Sequence, residues 1–235
     1  MNVHVLPSGE VALAAAQALI VRFAVLREKE FLFLSSGGSS LALLEHLDAG
    51  PFGPHSTIGV LDERYSSDPS INNTAQLAAT DFVIRARERG AHCIDTTVHP
   101  GETIEQLAER FELALREWME RTQGVIIASV GVGSDAHTSG VMPYPEDPAF
   151  FEETFNDDAR WVVAYDAGNK NPLRQRITTT LPFLRRIQHP ILFVVGESKR
   201  SAIAAMLAAE GVLNEHPCRI WREVPSAELY TDQVV

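Results

Sequence analysis

Asp135 and His137 are the two residues best suited, by type and spacing, to move a proton. They lie in the run 124–143, GVIIASVGVGSDAHTSGVMP, two positions apart in one short loop. An imidazole accepts a proton near neutral pH, and a nearby carboxylate orients it or raises its pKa. The same residue types also cap helices and turns, so the pair alone leaves both uses open. No metal is expected, because Asp135 and His137 supply two ligands and no third stands at compatible spacing. A second candidate is the run 35–40, SSGGSS. Glycines let backbone N–H groups approach an anion, and the start of a following helix favours negative charge. The run lacks the lysine of a Walker loop and the third glycine of a dinucleotide loop. It is either a phosphate cradle or a plain tight turn. A third candidate is Asp62-Glu63-Arg64, three charges that are hard to bury unless paired. They are either catalytic or a solvated turn with a local ion pair.

These loops need elements to position them. Residues 125–130 are an uncharged, largely β-branched run, which predicts a buried strand ending just before the Asp135 loop. Residues 31–34 predict a strand leading into 35–40, and 57–61 one leading into Asp62. Further strands are expected at 91–94, 161–165, 191–195 and, as the last, 219–224. Helices are expected at 8–27 with Ser8 as N-cap, at 74–89, at 181–187 and at 201–209, with a helical pattern through Leu41, Leu44 and Leu47. In 102–121, Ile104, Leu107, Ala108, Phe111, Leu115 and Trp118 recur at helical spacing, and that stripe reads as core. Residues 144–160, acidic and broken by Pro145 and Pro148, read as a long active-site loop or a surface excursion. Strands alternating with helices, several apolar on both faces, imply an α/β fold. The expected sheet is mostly parallel, doubly wound and Rossmann-like, with helices on both faces. In such sheets ligands bind beyond the carboxyl ends of the strands, where the candidate loops fall. No repeat or linker divides the chain, so 1–235 is expected to be a single domain.

Lys and Arg number 20 against 31 Asp and Glu, a net charge of −11. That balance argues against general affinity for nucleic acid or an anionic membrane, while a few local cations can still hold an anionic metabolite. Cys93 and Cys218 form no paired motif and suit a reducing compartment. The start, MNVHVLPSGE, has no basic region followed by an apolar core, and no apolar run is expected to reach membrane-spanning length. A soluble, cytoplasmic protein is expected, as a monomer or small homo-oligomer.

Five stretches now stand in order: Ser36-Gly37-Gly38-Ser39, Asp62-Glu63-Arg64, 131–138 with Asp135 and His137, Arg176-Ile177-Thr178, and Gly196-Glu197-Ser198-Lys199. Together they resemble the 6-phosphogluconolactonase family and its relatives, the glucosamine-6-phosphate deaminases, over roughly residues 8–224. The resemblance implies a phosphosugar substrate whose phosphate is held by Ser36, Gly37, Gly38, Ser39, Arg176 and Lys199, with no cofactor. A planar guanidinium fork and an ammonium point charge both suit a phosphate dianion. It also implies catalytic roles for His137, its partner Asp135, Asp62 and Arg64, and it matches Asn73 to an Asn that commonly follows. Lactonases resemble Asp-Gly-His-Thr-Ala-Ser-Leu-Phe-Pro, and deaminases Asp-Gly-His-Ile-Ala-Phe-Asn-Glu-Pro. This chain reads Asp135-Ala136-His137-Thr138-Ser139-Gly140-Val141-Met142-Pro143. Thr138 follows the lactonase pattern, and Met142 stands where deaminases carry Glu. Ala136 replaces the usual Gly, so a positive φ there would strain the loop.

The implied activity is hydrolysis of 6-phospho-glucono-1,5-lactone, with His137 as general base, Asp135 orienting it, and Arg64 on the oxyanion or on sugar hydroxyls. Two alternatives stand beside it. One is a phosphosugar isomerase or deaminase with Asp62 as base. The other is a non-catalytic phosphosugar-binding protein on the same fold.

Overall fold

Each central strand alternates its side chains between two faces, and both faces are buried. In the strand Phe31–Ser35, Phe31 and Phe33 join one apolar cluster while Leu32 and Leu34 join another. A sheet with two apolar faces must be covered twice, and the helices do this. The computed structural model describes residues 1–235, with only the backbone of Ser39 described.

The chain begins with β1 (Asn2–Val5), α1 (Ser8–Leu26), β2 (Phe31–Ser35), β3 (Ser56–Val60) and β4 (Asp62–Arg64). Next come α2 (Asn73–Ala78), α3 (Asp81–Glu88), β5 (His92–Cys93), α4 (Ile104–Thr122) and β6 (Val125–Val130). Then follow α5 (Pro148–Phe155), β7 (Val162–Asp166), β8 (Gln175–Thr179), α6 (Leu181–Leu184), β9 (His189–Val194), α7 (Arg200–Leu207) and β10 (Glu228–Thr231). Seven strands pair in the order β1-β10-β9-β6-β2-β3-β5, every pair parallel. α1 and α3 cover one face through Leu19, Phe23, Phe82 and Val83. α4 to α7 cover the other through residues such as Phe111, Phe155, Phe183 and Met206. The expected doubly wound, mostly parallel α/β sheet is therefore present.

From β2 the chain winds outward to β3 and β5, and from β6 it winds the opposite way to β9 and β10. The loops after β2 and β6 thus part and leave a crevice, the switch point of a doubly wound sheet. β4, β8 and β7 form a separate three-stranded antiparallel sheet. The chain steps from β3 into this sheet through Leu61 alone, which carries Asp62–Arg64 to the mouth of the crevice.

Several expectations need correction. Ser8 is not an N-cap; Pro7 precedes the helix, and the Ser8 hydroxyl donates to Asp232 at 2.6 Å. The single helix expected over 74–89 is two, because the side chains of Asn72 and Thr80 each cap a new helix start. The helical pattern at Leu41 and Leu44 is a 3-10 helix, Gly38–His46. The last strand is not 219–224. Those residues fall largely in a 3-10 helix, Pro217–Arg222, where Arg219 and Arg222 donate to carbonyls at the end of α7. The real last strand is β10, and β1 adds an unforeseen edge beside it. Residues 144–160 are neither bare loop nor excursion, since they contain α5, with Phe151 and Phe155 fully buried. α1, at 19 residues and mean hydropathy 1.7, is long and apolar enough by length and composition to cross a membrane, contrary to expectation. In this fold its Val11, Ala15, Leu19 and Phe23 are fully buried in the core.

Because Phe155 packs edge-on against Tyr165 at 4.9 Å and is fully buried, Phe155→Ala is expected to destabilise the protein by about 3–5 kcal/mol. Denaturant unfolding measures this; a loss under about 0.5 kcal/mol is what a surface position gives.

Candidate active site at the switch point

The crevice between the β2 and β6 loops holds a cavity of about 200 Å³. Its wall includes Ser36, Gly37, Gly38, Asp62, Arg64, Asn73, His137, Ser139, Arg176 and Lys199. Six separate segments meet there. The two loops are tied directly, with Gly131 N–H donating to Ser36 Oγ at 3.2 Å and Ser36 N–H to Ser129 O at 2.9 Å. Gly37 is required by close approach, because a Cβ there would lie 2.2 Å from Asn73 Oδ1. A wider groove of about 530 Å³ runs between α4 and β7, but it holds none of the candidate residues, and its Glu112 is engaged by Arg116 and by the backbone N–H groups of Trp161 and Val162.

His137 leans on Asp135, Nδ1 to Oδ1 at 2.5 Å, and Asp135 Oδ1 also accepts the His137 backbone N–H at 3.2 Å. With Nδ1 engaged, Nε2 is the nitrogen left for chemistry. Burial works against the Asp135 charge. The hydrogen bonds and charge of His137 together outweigh it and hold the carboxyl below its usual range. Gly133 leaves room for this pair; a Cβ there would lie 2.1 Å from His137 Nδ1. Ala136 has φ 68°, so the alanine in place of glycine does sit in left-handed backbone. The loop is held nonetheless, by Cys218 N–H donating to Ala136 O at 3.0 Å and by Gly133 N–H to His137 O at 2.8 Å.

Arg64 and Arg176 face each other directly across the β4–β8 ladder. Arg176 Nη2 donates to Asp62 Oδ2 at 2.6 Å, and both side chains are nearly buried. Arg64 Nη1 donates to Ile71 O at 3.3 Å. The Nε atoms of both arginines are buried without a hydrogen-bond partner. Lys199 adds a third cation at the rim, with no ion pair among the described residues. Three cations against Asp62 give the crevice a local positive balance inside a chain of net charge −11.

Glu63 points the other way. It is fully buried and accepts from the backbone N–H groups of Arg64, Asn73 and Thr74 and from Thr96 Oγ1, at 2.6–2.9 Å. Burial raises its pKa, and these hydrogen bonds oppose the rise. The carboxyl thereby fastens β4 to the start of α2, which holds Asn73 against Gly37 and lets Asn73 Nδ2 donate to Asp62 O at 2.9 Å.

Of the residues expected from sequence, Ser36, Gly37, Gly38, Asp62, Arg64, His137, Arg176 and Lys199 line this one cavity. Asp135 stands one contact behind His137. The Ser39 side chain lies outside the described residues. Asp62 is paired with a guanidinium and is not a free carboxylate. Ser139 is a lining residue that the sequence does not mark, and Glu63, one of the three candidate charges, is neither at the cleft nor in a solvated turn. Glu63 carried a signal, being one of three adjacent charges of which the middle one must alternate inward.

The fold and crevice define an α/β protein with a cationic cleft and a carboxylate-backed histidine at its sheet's switch point. The chain belongs to the glucosamine-6-phosphate isomerases/6-phosphogluconolactonase family, whose model matches residues 8–229. It is similar to the 6-phosphogluconolactonase of Synechocystis, 29% identical over 233 residues, covering 94% of this chain and 88% of that one. It is 29% identical over 181 residues to the human 6-phosphogluconolactonase, covering 73% of this chain and spanning 66% of the human protein's length. A solved 6-phosphogluconolactonase structure from Shewanella baltica superposes with TM-score 0.76 at 20% identity, covering 98% of this chain and 95% of the other, a likeness of fold.

A depressed carboxyl pKa adds stability above the unfolded value and loses it as pH falls through the folded one. Asp135→Asn is therefore expected to lower Tm above about pH 4, with the gap to wild type closing as pH drops further. Thermal melts of both proteins from pH 2 to 7 test this; a gap that does not close in acid contradicts the assignment.

Proposed function

We propose that this chain hydrolyses 6-phospho-D-glucono-1,5-lactone to 6-phosphogluconate, a step of the pentose phosphate pathway, as one cytoplasmic domain over 1–235. One observation carries the reading: a carboxylate-backed imidazole and three cations, Arg64, Arg176 and Lys199, line the same small cleft. The names of the relatives point the same way.

In this mechanism the phosphate lies on the 36–38 loop, with Arg176 and Lys199 on its oxygens. His137 Nε2 takes a proton from water as the water oxygen bonds to the lactone carbonyl carbon. Asp135 stabilises the imidazolium so formed. Arg64 faces the charge that develops on the carbonyl oxygen. The tetrahedral intermediate then expels the ring oxygen, which takes the proton back from His137 and becomes a hydroxyl. The product is the open-chain acid, which ionises. Asp62 holds the Arg176 guanidinium in place and is a positioning residue in this reading. That pairing also counts against a deaminase, which would need Asp62 free to shuttle protons, as does the buried Met142 where an acid would be required.

His137→Ala is expected to lower kcat/KM by about 10²–10⁴-fold with the fold intact. Fresh lactone, coupled to excess 6-phosphogluconate dehydrogenase and read as NADPH above the spontaneous rate, measures it. A folded variant as fast as wild type removes the histidine from the mechanism. A wild type no faster than background, which instead releases ammonia from glucosamine 6-phosphate, moves the chain to the other half of its family.

A further inference from the structure

We propose that Ser139 is a specificity-determining residue whose hydroxyl pairs with a hydroxyl on the sugar portion of the bound phosphosugar; the proposal rests on the phosphosugar reading above. Ser139 is 3% exposed and lines the cleft, yet its Oγ has no hydrogen-bond partner. A buried hydroxyl left unpaired is unfavourable, and alanine would remove that penalty. The backbone is unfavourable for serine as well, with φ 50°, in the region where glycine sits without strain. Burial alone would select alanine here and conformation alone would select glycine. Serine serves neither, but it serves a ligand that completes its hydrogen bonds.

The position decides which part of the ligand it meets. Ser139 and His137 belong to one loop, and both line the cleft. Thr138 between them turns into the core, where its hydroxyl donates to Gly131 O at 3.0 Å and accepts from Trp221 Nε1 at 3.0 Å. The Ser139 carbonyl is anchored in turn by the Thr178 hydroxyl. Ser139 therefore shares its loop and its cleft with the proton-accepting residue, which places it at the reacting end. Its hydroxyl both donates and accepts, which matches a sugar hydroxyl. A phosphate dianion only accepts, and Arg176 and Lys199 already offer it donors.

Calorimetric titration of wild type, Ser139→Ala and Ser139→Gly with 6-phosphogluconate and with inorganic phosphate tests this, beside thermal melts. Expected is a rise of about 3–10-fold in the Kd for 6-phosphogluconate in both variants, with phosphate affinity within about twofold of wild type. Tm is expected to hold or rise in both variants, so affinity falls without loss of stability. Unchanged 6-phosphogluconate affinity in both folded variants overturns the proposal, as does an equal loss for phosphate. Affinity that falls only together with Tm in both variants reduces Ser139 to a structural residue and overturns it too. A wild type that binds no 6-phosphogluconate overturns the phosphosugar reading itself, an outcome visible before any variant is compared.

Discussion

Two guanidinium groups, Arg64 and Arg176, are held opposite each other across one ladder with a single carboxylate, Asp62, against Arg176. Like charges in directly opposed positions are unfavourable, and removing one partner of a buried ion pair typically costs about 3–5 kcal/mol. The arrangement persists because the backbone leaves it little choice. Leu61 N–H donates to Ser35 O while Leu61 O accepts from Thr179 N–H and Oγ1, pinning β4 and β8 to the end of the parallel sheet. The large sheet thus fixes the small one, and the small one presents concentrated positive charge to the crevice. An anion entering there meets donors already oriented, at little cost in reorganisation.

Glu63 plays the complementary part. Alternation along β4 sends Asp62 and Arg64 toward the cleft and Glu63 away from it. An unpaired buried carboxylate is ordinarily unfavourable, and here four donors compensate it. Three of those donors are backbone N–H groups of Arg64 and of the start of α2, so one side chain sets both the strand and the helix that flank the ligand space. The β6 loop shows the converse economy. Ala136 and Ser139 occupy left-handed backbone, and the neighbouring hydrogen bonds to Cys218 and Thr178 hold them there. Strain of that kind concentrates where side chains must be aimed.

Much of this was legible in the residues. The apolar runs of β2, β3, β6 and β9 and the stripe of α4 announced a covered parallel sheet, because burial on two faces leaves a local, periodic mark. The candidate residues were legible too, since loops following such strands meet at one edge. β1 and β10 were not, being short strands that pair with each other across more than two hundred residues of chain. The helix inside 144–160 was hidden by its prolines, although Pro148 sits at the first turn, where a missing N–H is harmless. The misplaced last strand, 219–224, carries Ile220, Trp221 and Val224, residue types that favour strands. Its arginines instead cap the end of α7, a contact that no local pattern carries.

The sequence by itself determined the fold class, the order of the loops and the kinds of groups they bring, because periodicity, composition and strand-to-loop order are local properties. Only the tertiary structure decided what each group does to its neighbours. It bound Asp62 to Arg176, turned Glu63 into the interior, set Asp135 behind His137 and left Ser139 with a buried, unpartnered hydroxyl. Apart from the Asp135–His137 contact, which is local to one loop, those outcomes depend on distance and direction between segments far apart in the chain, which are fixed only when the two sheets pack.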